Sequence, residues 1–232
     1  MSFTFTVSSH PPSLLSHSSL IYPSASNPSP SNNHPVFTDA MAIRHAVFVD
    51  EQCCSADAEI DADDARSWEF VVYAHPTPTT TTTTPPSEVE DRGRPVGVVR
   101  LVPPPHAPHE TLHYPDRAAE HDKFDVRHEP YVKVTRVAVV REFRGYGISR
   151  KLMEVLEDWA RRNRERVEEM MEYVLREDGG VGGRRWNGLI GLHAQVQVEK
   201  MYARLGYETD MAMGRWDEEG IEHVGMFKRV SL

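Results

Sequence analysis

The segment Arg144-Gly145-Tyr146-Gly147-Ile148-Ser149-Arg150-Lys151 places two glycines among three cations. It follows the β-type run Val137-Ala138-Val139-Val140 and leads directly into a helical pattern. Glycines let backbone N–H groups converge on an anion, and a helix N-terminus adds positive potential. The chemistry on offer is phosphate binding. A Walker loop is excluded because no Gly-Lys-Ser/Thr follows, and a dinucleotide fingerprint because Arg150 stands where a third glycine belongs. Taken alone, the same residues also fit an ordinary tight turn between a strand and a helix.

Three other clusters have the right residue types and the wrong context. His109-Glu110-Thr111-Leu112-His113 spells a zinc-peptidase motif. That chemistry needs both imidazoles on one face of a long helix. Pro108 and Pro115 leave under two turns, so zinc hydrolysis is a distant alternative. Asp57 to Asp64 is strongly acidic, but Ala62 stands where an EF-hand needs glycine and Trp68 where it needs glutamate. The run reads either as a solvated loop or as an attractor for a cationic amine. Cys53-Cys54 has no Lys, Arg or His within three residues to activate a thiol.

The elements that must hold the glycine loop follow from periodicity. Tyr131 to Val140 alternates, with Val132, Val134, Arg136 and Ala138 on one face and Lys133, Thr135, Val137 and Val139 on the other. Leu152, Val155, Leu156, Trp159 and Ala160 form the buried stripe of the helix after the loop. Its pattern continues through Met170, Met171 and Val174 towards the glycines from Gly179 to Gly183. Thr38 is a candidate cap for a helix containing Met41, Ile43, Val47 and Phe48. Trp68–Ala74, Val96–Val102, Leu189–Ala194, Tyr207–Met213 and His223–Val230 read as strands, and Val196–Leu205 as a helix. Residues 1–37 read as a low-complexity, mostly disordered segment with a strand at 3–7. Residues 38–232 read as a single domain with loop insertions near 75–94 and 103–130. The class is mixed α/β, with helices covering a central sheet.

Composition removes several functions. Lys and Arg total 26 against 35 Asp and Glu, a formal net charge of −9. A general nucleic-acid binder carries the opposite sign. No run of about 18 apolar residues exists to cross a membrane. Two adjacent cysteines cannot build a disulfide scaffold, which favours a reducing compartment, cytoplasmic or nuclear. The first arginine is Arg44, so neither a secretory nor a mitochondrial leader is expected.

Taken together, the motifs resemble the GNAT superfamily of N-acetyltransferases. Its acetyl-CoA loop has the pattern Arg/Gln-x-x-Gly-x-Gly/Ala, here Arg144, Gly147 and Ser149, with Ser149 departing from the last position. Ile43 to Gln52 is similar to the first helix of a branch with Arg-x-x-Val-Phe-x-x-Glu-Gln. Gly97–Leu101 and Thr135–Val139 resemble the third and fourth strands. Met201 to Tyr207 is similar to the family's Phe-Tyr-x-x-x-Gly-Phe, and Gly220 to Met226 resembles its closing strand.

The resemblance implies a central mixed, largely antiparallel sheet of six to seven strands, splayed at strands 4 and 5 and flanked by helices. It implies that Val137, Ala138 and Val139 pair with the pantetheine arm of acetyl-CoA. The backbone of Arg144, Gly145, Tyr146, Gly147, Ile148, Ser149 and Arg150 would hold the pyrophosphate. A backbone N–H near Val139 would polarise the thioester. Tyr202 matches the family tyrosine that protonates the departing thiolate. A phenol with a pKa of about 10 is suited to that step. The expected reaction is direct attack by the primary amine of a small molecule, without a metal. The base is open among Glu69, Thr135 and His193, with Glu51 and the acidic run on the substrate side. A noncatalytic acyl-CoA-binding module and a protein-lysine acetyltransferase stay open as alternatives, as does the choice between monomer and homodimer.

Overall fold

A computed structural model describes residues 2–13, 19–77, 92–179 and 184–232. The threonine run and the glycines from 180 to 183 lie outside them. The chain divides into two compact units. The first comprises Met1–Arg100 and Arg136–Met153, the second Leu101–Thr135 and Glu154–Leu232.

Among the described residues the strands are β1 (Phe3–His10), β2 (Trp68–Pro76), β3 (Arg94–Val102), β4 (Val132–Val139), β5 (Leu189–Gln195), β6 (Glu208–Thr209), β7 (Arg215–Glu218) and β8 (Ile221–Arg229). They hydrogen-bond in the order β1-β2-β3-β4-β5-β8-β6, with β7 on β8. The pairs β1–β2, β5–β8, β6–β8 and β7–β8 are antiparallel, whereas β4 and β5 are parallel. The β4–β5 ladder covers only Val132↔Ile190, Lys133↔Gly191 and Val134↔Leu192. Both strands continue beyond it, so they part after Val134 and Leu192.

In the first unit, helix α1 (Pro35–Arg44) starts earlier than the Thr38 cap read from the sequence. His34 caps it by accepting the Val36 N–H, and Pro35 fits the first turn because its missing donor is not needed there. A π-helical turn, His45–Val49, follows. Val36, Ala40, Ile43 and Val47 bury themselves against Val71, Tyr73, Val98 and Ala138. β1 runs on to His10, beyond the expected strand, because its whole length pairs with β2, from Phe3↔Pro76 to His10↔Glu69. Residues 19–37, expected to be disordered, also have a structured part, with Leu20 packed on Phe37 and Met41.

The alternation expected along β4 fails at Arg136, whose φ is +53°. A non-glycine residue in this region kinks the strand. Beyond it Ala138 and Val139 are both buried, where strict alternation would expose one.

In the second unit, the expected long helix is interrupted at Asn163, giving α3 (Ile148–Arg162) and α4 (Arg164–Glu177). The N-terminal turn of α3 belongs to the first unit. Val167, Met170, Met171 and Leu175 form the buried face of α4. The insertion near 103–130 carries the one-turn helix α2 (Glu110–His113) and a 3-10 segment, Pro115–Glu120. Helix α5 (Glu199–Arg204) is preceded by a 3-10 turn, Val196–Val198. The strand expected over Tyr207–Met213 shrinks to Glu208–Thr209. The chain then turns, with Asp210 accepting the Ala212 N–H on its side chain and the Met213 N–H on its carbonyl.

Candidate functional site

The glycine loop lies in the first unit. Gly145 has φ +88° and Gly147 φ +76°, so both adopt the left-handed region that disfavours other residues. A Cβ at either position would meet nothing within 4 Å, so the conformation, not lack of space, demands glycine. Gly145, Tyr146 and Gly147 are exposed, and Ser149 is half-buried. The first turn of α3 opens here, with Lys151 N–H bonding to the Gly147 carbonyl. By the geometry of a helix start, the amides of Ile148 and Ser149 have no acceptor within the helix. Those donors, with Arg150 and Lys151 beside them, fit a pyrophosphate. Ile148 contributes only its backbone. Its side chain is buried, and its Cγ2 would lie 2.6 Å from a Cβ on Gly97.

The Arg144 side chain, counted in the sequence among the charges beside the loop, is engaged elsewhere. Its Nε donates to the Val139 carbonyl at 3.1 Å. Its two terminal nitrogens donate to Glu51 Oε1 and Oε2 at 2.7 Å each. The guanidinium ties the end of β4 to the turn after α1, and Glu51 is committed to that fork. Phe143 and Tyr146 meet Phe3 and Phe5 edge-on at centroid distances of 5.0 to 6.4 Å. The first strand thereby braces the loop.

The acidic run is neither a solvated loop nor an open attractor. Arg44, fully buried, donates to Glu59 at 3.0 Å, Asp64 at 2.7 Å and Glu69 at 3.1 Å. Arg100 grips Asp61 with two bonds of 2.8 Å and lies 2.9 Å from Asp64. Arg136, at the kink in β4, reaches Asp61 at 3.1 Å and the Ala58 carbonyl. Charges this deep require partners, because desolvation costs several kcal/mol per ion. Burial pushes the Glu69 carboxyl up to about 7; Arg44 opposes this and Asp64 adds to it. Glu69 Oε2 is buried without a hydrogen-bond partner.

In the second unit, Tyr202 lies in α5, 5% exposed and edge-on to Tyr207 at 6.0 Å. Burial raises its pKa, so the phenol keeps its proton. Its hydroxyl has no hydrogen-bond partner among the described residues. His193, on β5, bonds through Nδ1 to Glu218 Oε1 at 3.1 Å. Trp216 Nε1 donates to the same oxygen at 2.6 Å. The sequence points to His193 but not to Glu218, the last residue of β7.

The zinc motif disperses. His109 Nε2 pairs with the Tyr131 hydroxyl at 3.2 Å, and His113 Nε2 with the Met213 carbonyl at 2.8 Å. Each ring is bonded to a different partner.

The family-level comparison matches residues 45–179 to the acetyltransferase (GNAT) family. The chain belongs to that family. Solved structures agree on the fold. A candidate N-acetyltransferase from Lactobacillus plantarum is 22% identical with a TM-score of 0.52, over 97% of each chain. An acyl-CoA N-acyltransferase from Pseudomonas aeruginosa is 19% identical with a TM-score of 0.51, over 98% of this chain and 99% of that one. FeeM, an N-acyl amino acid synthase from uncultured soil microbes, is 9% identical with a TM-score of 0.50, over 99% of this chain and 92% of that one.

Proposed function

We propose that the protein transfers an acetyl group from acetyl-CoA to the primary amine of a small molecule. The observation that carries this reading is the open glycine loop at the start of α3, on a β4 that parts from β5 after three ladder pairs. Parted strands leave backbone donors and acceptors unpaired, which suits an extended amide-bearing arm. In this reading Val137, Ala138 and Val139 pair with pantetheine, and the amides from Gly145 to Arg150 hold the pyrophosphate. Arg144 serves by fixing the loop. Tyr202 is the acid: a protonated phenol without a protein partner can give its proton to a thiolate. Acetyl-CoA supplies the activated acyl group as a thioester. The cytoplasm or nucleus is the compartment proposed.

Calorimetry with acetyl-CoA tests this. Wild type should bind in the micromolar range. Gly147→Ala controls for the strain of a side chain at φ +76°, and Gly147→Glu adds a carboxylate at the anion site. The proposal expects Gly147→Glu to abolish binding well beyond the loss in Gly147→Ala. A folded wild type that does not bind would sink it.

A further inference from the structure

We propose that His193 is the proton acceptor for the incoming amine and that Glu218 is the residue that positions it. This rests on the acyltransferase reading and adds the base that reading lacks. Four observations converge. His193 is the first β5 residue beyond the ladder, since Leu192 is the last one paired with β4. It therefore stands where the two strands part. Its ring is held by two neighbours, Glu218 bonding Nδ1 and Trp216 packing edge-on at 4.8 Å, while its backbone is in register with Gly225 on β8. Its side chain nonetheless keeps 12% of its surface accessible. Nε2 has no hydrogen-bond partner among the described residues.

The protonation state follows from the charges. Burial foremost, and then Lys133 on β4, lower the imidazole to about 4. Glu218 opposes this, and His109, ahead of α2, adds to it. The Glu218 carboxyl is pushed up by burial but brought down to about 2, chiefly by the hydrogen bond from His193, with help from Trp216 and from His223 on β8. At neutral pH the pair is therefore a carboxylate and a neutral ring. A carboxylate only accepts, so Nδ1 carries the hydrogen, and Nε2 is left with its lone pair. A third group orienting a base in this way is a recurring arrangement in acyl transfer.

In the step itself, the amine nitrogen bonds to the thioester carbonyl carbon and the C–S bond breaks. The electron pair leaves with sulfur. One proton passes from nitrogen to His193 Nε2, and another from Tyr202 to the thiolate. A weak base suffices, because an amine nitrogen bonded to the carbonyl carbon surrenders its proton far more readily than a free ammonium.

Two measurements test the assignment. The first is nitrogen-detected NMR of the His193 ring in wild type. The Nδ1–H neutral tautomer is expected from pH 6 to 8. The second is thiol release from acetyl-CoA with a panel of primary amines (phenylethylamine, spermidine, glucosamine and lysine amide). His193→Gln should lower kcat on the order of 10²- to 10⁴-fold, with acetyl-CoA affinity unchanged by calorimetry. Glu218→Leu should release the tautomer and lower kcat, and Glu218→Gln, which keeps an acceptor oxygen, should recover most of it. Should the wild-type ring carry its proton on Nε2, or His193→Gln keep its rate, the assignment falls even though acetyl-CoA binds. Absence of acetyl-CoA binding overturns the acyltransferase reading, and this inference with it.

Discussion

Tyr202 keeps its proton because burial raises its pKa. The proposed acid role therefore makes a narrow prediction. Tyr202→Phe should lower kcat on the order of 10²-fold while calorimetry finds acetyl-CoA affinity little changed. Equal kcat in both proteins would remove Tyr202 from the mechanism. Tyr202 and Gly147 are candidates the sequence offers through a local signal, a few positions within one motif. Arg144 was legible as a member of the loop but not as the anchor of the loop. Its partner Glu51 lies 93 positions away, and no local spacing encodes such a pairing. The acidic run failed for the same reason: its arginine partners at 100 and 136 are remote in sequence, so the carboxylates read as solvated.

The strand–loop–helix junction depends on two contacts at the scale of elements. Gly97 lets β3 approach the start of α3, since a Cβ there would sit 2.6 Å from Ile148 Cγ2 and 3.3 Å from Leu152 Cδ1. Gly97→Val should destabilise by about 1–3 kcal/mol through overpacking, read as a lower urea midpoint at unchanged slope. An unchanged midpoint would show that α3 is not closely held there. The second contact is β1, whose Phe3 and Phe5 brace Phe143 and Tyr146. Phe3→Ala with Phe5→Ala should weaken acetyl-CoA binding several-fold in a protein that still melts cooperatively, and undiminished affinity would make the brace irrelevant to the loop. Element types and order were largely readable from periodicity. Boundaries were not, because His34, Arg136 and Asn163 each end or bend an element through backbone geometry that hydrophobic patterning does not register.

For the molecule as a whole, the buried ions give stability a defined dependence on pH. Glu69 has an ordinary value of 4.5 and sits near 7 in the fold. The folded state holds this proton more tightly, so the stabilisation is complete below about 4.5 and is lost as pH rises through 7. Asp61 and Asp64 work in the opposite direction: burial raises them, but Arg100 and Arg44 more than offset it. Their contribution is present above the ordinary aspartate range and is lost as pH falls below it. Glu69→Gln should therefore gain on wild type in melting temperature between pH 5 and pH 8, by a few °C. A difference independent of pH would mean that Glu69 does not titrate in this window. The same network also bears on how the chain is made. Translation delivers the N-terminus first. When β2 has left the ribosome, Arg44 faces Glu59, Asp61, Asp64 and Glu69 alone, one guanidinium against four carboxylates. Arg100 and Arg136 are not yet synthesised. So unbalanced a cluster resists leaving water, and its burial is expected to wait until the strand bearing Arg136 has emerged.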